Sequence, residues 1–348
     1  MSVNMSMNMP VNMQMSLADV HHWDLIKTAA QRTTPRGPMV ELSHARDAVR
    51  ELEHLAQETA VHVADLTHLD AGAALPAVVV DRAAWVESNA IGMQQVLNMV
   101  AKKNSLLESL GDRAGAIQLG LALGWASGRV LGQFEAFTKP GRLLLVAPNI
   151  VKTEQAMGVD SRDFRMWVCL HEETHRVQFN AVPWLQQYFL DLIAQFVTAQ
   201  RLAPGEMGVR IAQVVIAVAR RSETSILELV QSDQQKVIYH QINALMTLLE
   251  GHADFIMDLG GPALIPTVHE IRAGFEIKRD QNKGFVSHLL GMNEKLLQYR
   301  DGAAFVRQVV QDGGMDQFNR VWGSPESLPT LEEIHNPQQW RSRVVGVT

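Results

Sequence analysis

The chain has 348 residues, 47% of them hydrophobic, and a formal net charge of −6. That length and apolar content suffice for a large core in one or two domains. The acidic balance and the lack of a long basic run argue against nucleic acid as a partner, and a single cysteine, Cys169, excludes an internal disulfide and fits a reducing, cytoplasmic setting.

Met1 to Ser16 carries six methionines among Ser, Asn and Val. It lacks the basic start and continuous apolar run of a secretion signal. Thioethers suit Cu(I), but the composition predicts a disordered tail over 1–16. Residues 17–128 read as a helical N-terminal region. Ala18 to Ala30, Ser43 to Ala64 and Arg82 to Leu110 are its helices, interrupted at Pro35-Arg36-Gly37-Pro38 and from Gly72 to Pro76. The most apolar stretch, Ala114 to Gly128, is too short to cross a membrane and holds Gln118, so no membrane partner is expected. Its Gly120, Gly124 and Gly128 recur every four residues, which predicts a close contact between two helix backbones.

Residues 129–348 form the second region. Val130 to Phe137 and Arg142 to Val146 flank the turn-forming Thr138-Lys139-Pro140-Gly141, a hairpin signal. A helix then starts near Asp160 or Ser161, either of which can cap it, with Asp163 in the first turn. Phe164, Val168, His171, His175 and Gln178 recur at spacings of four, three, four and three, which is one helical stripe. Asn180 and Pro183 mark its end. Helices follow over Pro183 to Ala203, Met207 to Val218, Ile226 to Val237 and Tyr239 to Met257. The remainder is helical pieces broken at Gly260-Gly261-Pro262, Gly313-Gly314 and Gly323-Ser324-Pro325, with no internal repeat.

The chemistry lies on the stripe. Residues 171–175 read His-Glu-Glu-Thr-His. Two imidazoles four apart on a helix share a face and can hold one zinc ion, with Glu172 beside it as general base. A zinc site of this kind takes a third protein ligand and leaves a position for water. Glu250, in Leu248-Leu249-Glu250-Gly251-His252-Ala253-Asp254, is the expected third ligand; Asp254 and His240 are the alternatives. Leu245, Leu248 and Leu249 surround Glu250 with apolar surface, and a buried carboxylate needs a partner. Asp254, one turn on, is expected to accept the outer N–H of a ligand histidine. His252 is rotated by about 200° from Glu250, so it is expected to face substrate or the oxyanion, or to serve local packing. Tyr239, His240, His269 and Arg272 are further oxyanion candidates by residue type alone. Glu173 and Arg176 are expected on the helix flank. Cys169, two residues before His171, points to another face and is expected to pack rather than bind metal.

Beyond these motifs the chain resembles an actinobacterial zincin-like family of zinc-dependent metalloproteases or hydrolases, some of whose members are associated with deazaflavin-coenzyme biosynthesis. The residues that carry the resemblance are Leu145-Val146-Ala147-Pro148-Asn149-Ile150, Asp163-Phe164-Arg165, Trp167 and the run Leu170 to Phe179. Further on they are Leu248 to Asp254, Gln298-Tyr299, Val321-Trp322 and Pro325-Glu326-Ser327-Leu328-Pro329. The likeness spans about Trp23 to Arg343, and the run around His171 is its most specific part. It implies a zincin fold with His171, His175 and a downstream Glu as ligands. The fold class expected is α+β and predominantly helical, with a small sheet or hairpin beside the His-Glu-Glu-Thr-His helix. The function expected is a zinc metallopeptidase acting on a peptide or small amide. The alternative is a non-catalytic scaffold of the same fold that binds metal or a protein partner.

Overall fold

Arg142–Val146 is a short apolar run, and in the computed structural model it forms β3, the central strand of a three-stranded sheet. The structure describes residues 17–73, 75–103, 113–138, 140–198, 233–281 and 295–346. The tail over 1–16, the helix expected over Met207 to Val218, and the parts of other expected helices over 104–110, 199–203 and 226–232 lie outside them. Strand β1 (Val78–Val80) pairs with β3 in parallel, Val79 opposite Leu145. Strand β2 (Gly132–Glu135) pairs with it antiparallel, Gln133 opposite Leu144. The hairpin read from the sequence is therefore β2–β3. Strand β1 was not expected, because three valines are too short a run to show a period.

Successive side chains of a strand point to opposite faces, and β3 uses both. Leu144 and Val146 enter a core with Trp23, Ile26, Trp85, Leu119 and Leu123. This core belongs to α1 (Leu17–Thr33), α3 (Arg82–Lys103) and α4 (Arg113–Ser127). Leu143 and Leu145 enter a larger core that includes Leu52, Phe164, Val168, Leu248, Phe305 and Phe318.

The glycine spacing of α4 has the predicted consequence. A Cβ on Gly120 would lie 2.3 Å from the carbonyl oxygen of Ile26, and one on Gly124 would lie 2.2 Å from that of Ala30. The backbones of α1 and α4 meet there.

On the other side of the sheet, α2 (Leu42–Thr67) buries Leu52, Leu55, Thr59 and Val63 and packs on α6 (Ser161–Ala181). Between β3 and α6 runs α5 (Ala147–Met157), an element the sequence reading did not assign. Pro148 sits in its first turn, where a missing N–H costs nothing, and Gly158 ends it at φ +67°. Asn149 on α5 accepts from Arg82 Nε at 2.6 Å and donates to the carbonyls of Ser127 and Val130 at 2.8 and 2.6 Å. It thereby fixes the chain just before β2.

Helices α7 (Leu185–Thr198), α8 (Asp233–Leu264), α9 (Val268–Gln281) and α10 (Lys295–Phe318) complete this side, followed by short helical turns over 319–345. Gly261 in α8 and Gly314 in α10 take φ of +49° and +80° and kink their helices, at two of the breaks read from the sequence. The described residues are mostly helical with a small three-stranded sheet, as expected. Among the described residues, no helix is long and apolar enough to cross a membrane.

Candidate metal centre

Helix α6 starts where the sequence placed it. Asp160 caps it, accepting from the N–H of Asp163 at 2.9 Å. The Asp163 carboxylate accepts from the N–H and hydroxyl of Thr267 at 2.8 and 2.7 Å, which pins the start of α9 to α6. Arg165 ties the same turn to Glu154 of α5 and Glu51 of α2. The helix is thus fixed at its base before its functional face begins.

One turn apart on that face, the rings of His171 and His175 meet edge to face at 4.7 Å. Their Nε2 atoms are 3.2 Å apart. Glu250 Oε2 comes across from α8 to 3.5 Å from His171 Nε2 and 3.9 Å from His175 Nε2. Among the described residues, His171, His175 and Glu250 are the group of His, Cys, Asp or Glu side chains whose donor atoms converge closely enough to hold a metal ion. The donor set fits zinc: ligand atoms bound tetrahedrally at about 2.0–2.2 Å lie roughly 3.3–3.6 Å from one another.

A pair of glycines brings Glu250 into reach. A Cβ on Gly251 would lie 2.2 Å from the carbonyl carbon of Gly302, and one on Gly302 would lie 2.2 Å from the Thr247 oxygen. Helices α8 and α10 therefore cross in backbone contact beside the carboxylate. A glycine inside a strong helical pattern was the available signal for this crossing, and the sequence reading did not use it.

Glu172 is buried on the same turn. A Cβ on Gly132 would lie 2.5 Å from Glu172 Cγ and 2.9 Å from its Oε1, so the carboxylate fits against the bare backbone at the start of β2. Burial, above all, raises its pKa to about 7; the charge of His171 lowers it and that of Glu250 raises it. Burial works against a charge on His171, yet its hydrogen bond to Glu250 and the charges of Glu250, Glu172 and Asp254 prevail and raise its pKa to about 9. His175 moves the other way, lowered by burial and by the charge of His171. Trp167 stacks on His171 at 6.5 Å and rests on Phe164 and Phe275 at 6.0 and 5.2 Å. One wall of the site is therefore apolar.

The outlying candidates sort by burial and bonding. His252 is wholly buried. Its Nδ1 is 3.1 Å from Gln178 Nε2, and its ring lies against Phe318 and Trp322 at 5.0 and 5.7 Å. These contacts accord with the packing alternative given for His252. His175 Nδ1 meets Gln178 Oε1 at 2.9 Å, and among the described residues the buried His171 Nδ1 has no hydrogen-bond partner. Asp254 acts on His171 through its charge. Burial raises the pKa of Asp254, while His171 and Arg272 lower it.

His240 and His269 are exposed, Tyr239 is buried, and Arg272 pairs with Asp258 at 2.5 Å. Glu173 and Arg176 are a buried ion pair at 2.7 Å. Cys169 is fully buried, its thiol pushed well up by burial and by Glu172 and Glu173. Gln178 was placed on the stripe by its spacing, but its bonds to two histidines were not foreseen.

Residues 22–340 match the model of a family described as zincin-like metallopeptidases. The chain belongs to the zincin-like metallopeptidase family. A crystal structure from Chloroflexus aurantiacus, described as that of a candidate hydrolase with a novel fold, is similar to this zincin-like chain at 27% identity and a TM-score of 0.67. The alignment covers 94% of this chain and 99% of that one. No curated protein matches. The family match takes in α6, α8 and the sheet, so all three converging side chains of this zincin-like protein lie within it.

Proposed function

We propose that this zincin-like protein is a zinc-dependent hydrolase of amide bonds, with a peptide or small amide as substrate. The observation that carries the reading is the convergence of His171, His175 and Glu250 from two helices at 3.2–3.9 Å, with Glu172 beside them. In this reading the three side chains hold Zn2+. Zinc bound there supplies Lewis acidity that polarises a carbonyl and acidifies a water. Glu172 is the general base: its carboxylate takes a proton from the attacking water and passes it to the leaving nitrogen. In the metal-free site burial raises the pKa of this carboxyl to about 7, the direction that favours its holding a proton between the two transfers.

The peptide reading is supported by β2. Among the described residues this strand has β3 on one side only, and Gly132 at its start touches Glu172. An extended peptide pairing with the open edge would run past the base. The buried, unreactive thiol of Cys169 fits a reducing, cytoplasmic setting. The deazaflavin association of the resembling family enters no step of this reading.

The test is metal content of the purified protein, His171→Ala and Glu250→Ala by mass spectrometry, followed by a peptide-library screen. About one zinc per chain, lost or weakened in both variants, is the expected result. No zinc in the wild type after reconstitution overturns the reading. Zinc without turnover of any peptide or amide would leave the metal-binding scaffold.

A further inference from the structure

We infer that Gln178, held by Leu249 and His252, is a positioning residue that fixes His175 in its metal-binding tautomer. The inference rests on the metal site proposed above. It starts from a single backbone carbonyl. Leu249 O is 2.9 Å from Gln178 Nε2, and a carbonyl only accepts. The amide nitrogen of Gln178 therefore faces Leu249, and its oxygen faces the other way, toward His175 Nδ1 at 2.9 Å.

An amide oxygen also only accepts, so His175 Nδ1 carries the hydrogen. A neutral imidazole has one N–H, which leaves the lone pair on Nε2. That atom faces His171 and Glu250. The second N–H of Gln178 points to His252 Nδ1 at 3.1 Å, so that nitrogen is the acceptor and the hydrogen of His252 is on Nε2. A flipped Gln178 amide would set its oxygen against the Leu249 carbonyl oxygen, two acceptors with no hydrogen between them. All three side chains are buried or largely so, and water cannot readily substitute for the lost bonds.

Leu249 immediately precedes Glu250. One turn of α8 thus presents the third ligand through a side chain and dictates the form of the second through its backbone. This gives His252 a role behind the site.

The test uses zinc affinity and a readout that needs no metal. Zinc affinity of the full chain is measured by chelator competition in the wild type, Gln178→Met, Gln178→Glu and His252→Leu. The tautomer of His175 is read in the metal-free protein from its ring nitrogen shifts by NMR, at a pH where this ring is neutral.

The wild type is expected in the Nδ1–H form. Gln178→Met should lose that form and weaken zinc binding by roughly 10- to 100-fold, the usual cost of removing an outer partner of a ligand. Gln178→Glu keeps an acceptor opposite His175, so it should retain the tautomer and recover part of the affinity. His252→Leu leaves the Leu249 bond in place and should cost less than Gln178→Met.

An Nε2–H or mixed His175 in the wild type overturns the inference, even if Gln178→Met fails to fold. Unchanged tautomer and affinity in a folded Gln178→Met also overturn it while leaving the metal site standing. A wild type that binds no zinc overturns the metal site, and the NMR measurement still decides the tautomer.

Discussion

The two sides of the sheet use the same packing device for different ends. On the α1/α4 side, Gly120 and Gly124 let two backbones touch so that apolar side chains such as Ile26, Leu119 and Leu123 close over them. On the α8/α10 side, Gly251 and Gly302 do the same, but the residue next to the contact is Glu250. The first contact contributes packing alone. The second also sets a carboxylate against two imidazoles. Around it are groups that a core usually avoids: Glu172, Gln178 and His252 are all buried. Burying such groups is costly unless they are bonded or neutral, and here their cost is borne where the chemistry is proposed. A close helix crossing therefore marks a rigid place in this fold, and only its neighbouring residue tells whether the rigidity serves stability or a site.

The comparison is broken most sharply at the base. Glu172→Gln should lower turnover by roughly 10²- to 10⁴-fold while zinc content and melting temperature stay close to wild type; retained turnover would remove Glu172 from the chemistry.

Next in size are the crossings themselves. Gly124→Leu and Gly251→Leu should each cost at least about 1–3 kcal/mol, from forced overpacking, measured by denaturant unfolding. Only Gly251→Leu should also weaken zinc binding. Equal zinc affinity in both would show that the α8/α10 crossing does not position Glu250.

The third prediction concerns pH. In the metal-free protein His171 has its pKa raised from 6.5 to about 9. Its contribution to stability is therefore fully present below about 6.5 and lost as pH rises through about 9. Glu172, raised to about 7 by burial, also favours its protonated form in the fold and loses stability as pH rises from 4.5 through about 7. The melting temperature of stripped protein should fall from pH 6 to 9, and zinc affinity should rise over that range as the His171 proton becomes easier to displace. A flat zinc affinity would contradict that proton on His171.

The smallest expected effect is at Gly132→Ala. Its added Cβ must push Glu172 aside, so kcat should fall several-fold, less than in Glu172→Gln, with zinc affinity unchanged. An unaltered kcat would mean that the carboxylate moves at no cost.

Much of this was legible in the chain. The four-three-four-three stripe placed His171, His175 and Gln178 on one face, and the cap signal at Asp160 or Ser161 placed the helix start, where Asp160 is the cap. The β2–β3 hairpin was visible from its turn, and the α1/α4 contact from its glycine spacing. What was not legible depended on partners distant in sequence. Helix α5 is the exception, since Pro148 and Gly158 bracket it locally in the expected way. Strand β1 has three residues and acquires its identity only by pairing with β3. At the site, Asp254 was expected to orient a histidine because carboxylates often do. Gln178 makes that bond, since it lies one turn beyond His175 on the same helix and also reaches the Leu249 carbonyl. The 71-residue separation of Gln178 and Leu249 leaves no local pattern to read.

Strand β3 has a kinetic consequence. Both its edges are paired, and four of its five side chains are buried in alternation between the two cores. Its amides therefore cannot exchange with solvent unless both layers separate from it, so they belong with the slowest-exchanging class of the protein. Its parallel partner is β1, and α3 and α4 lie between the two in sequence. The pairing closes a long loop, which favours late formation on the folding pathway. The two layers should then lock together in one cooperative event, and the pocket of histidines should acquire its shape only when the distant N-terminal helices have found theirs.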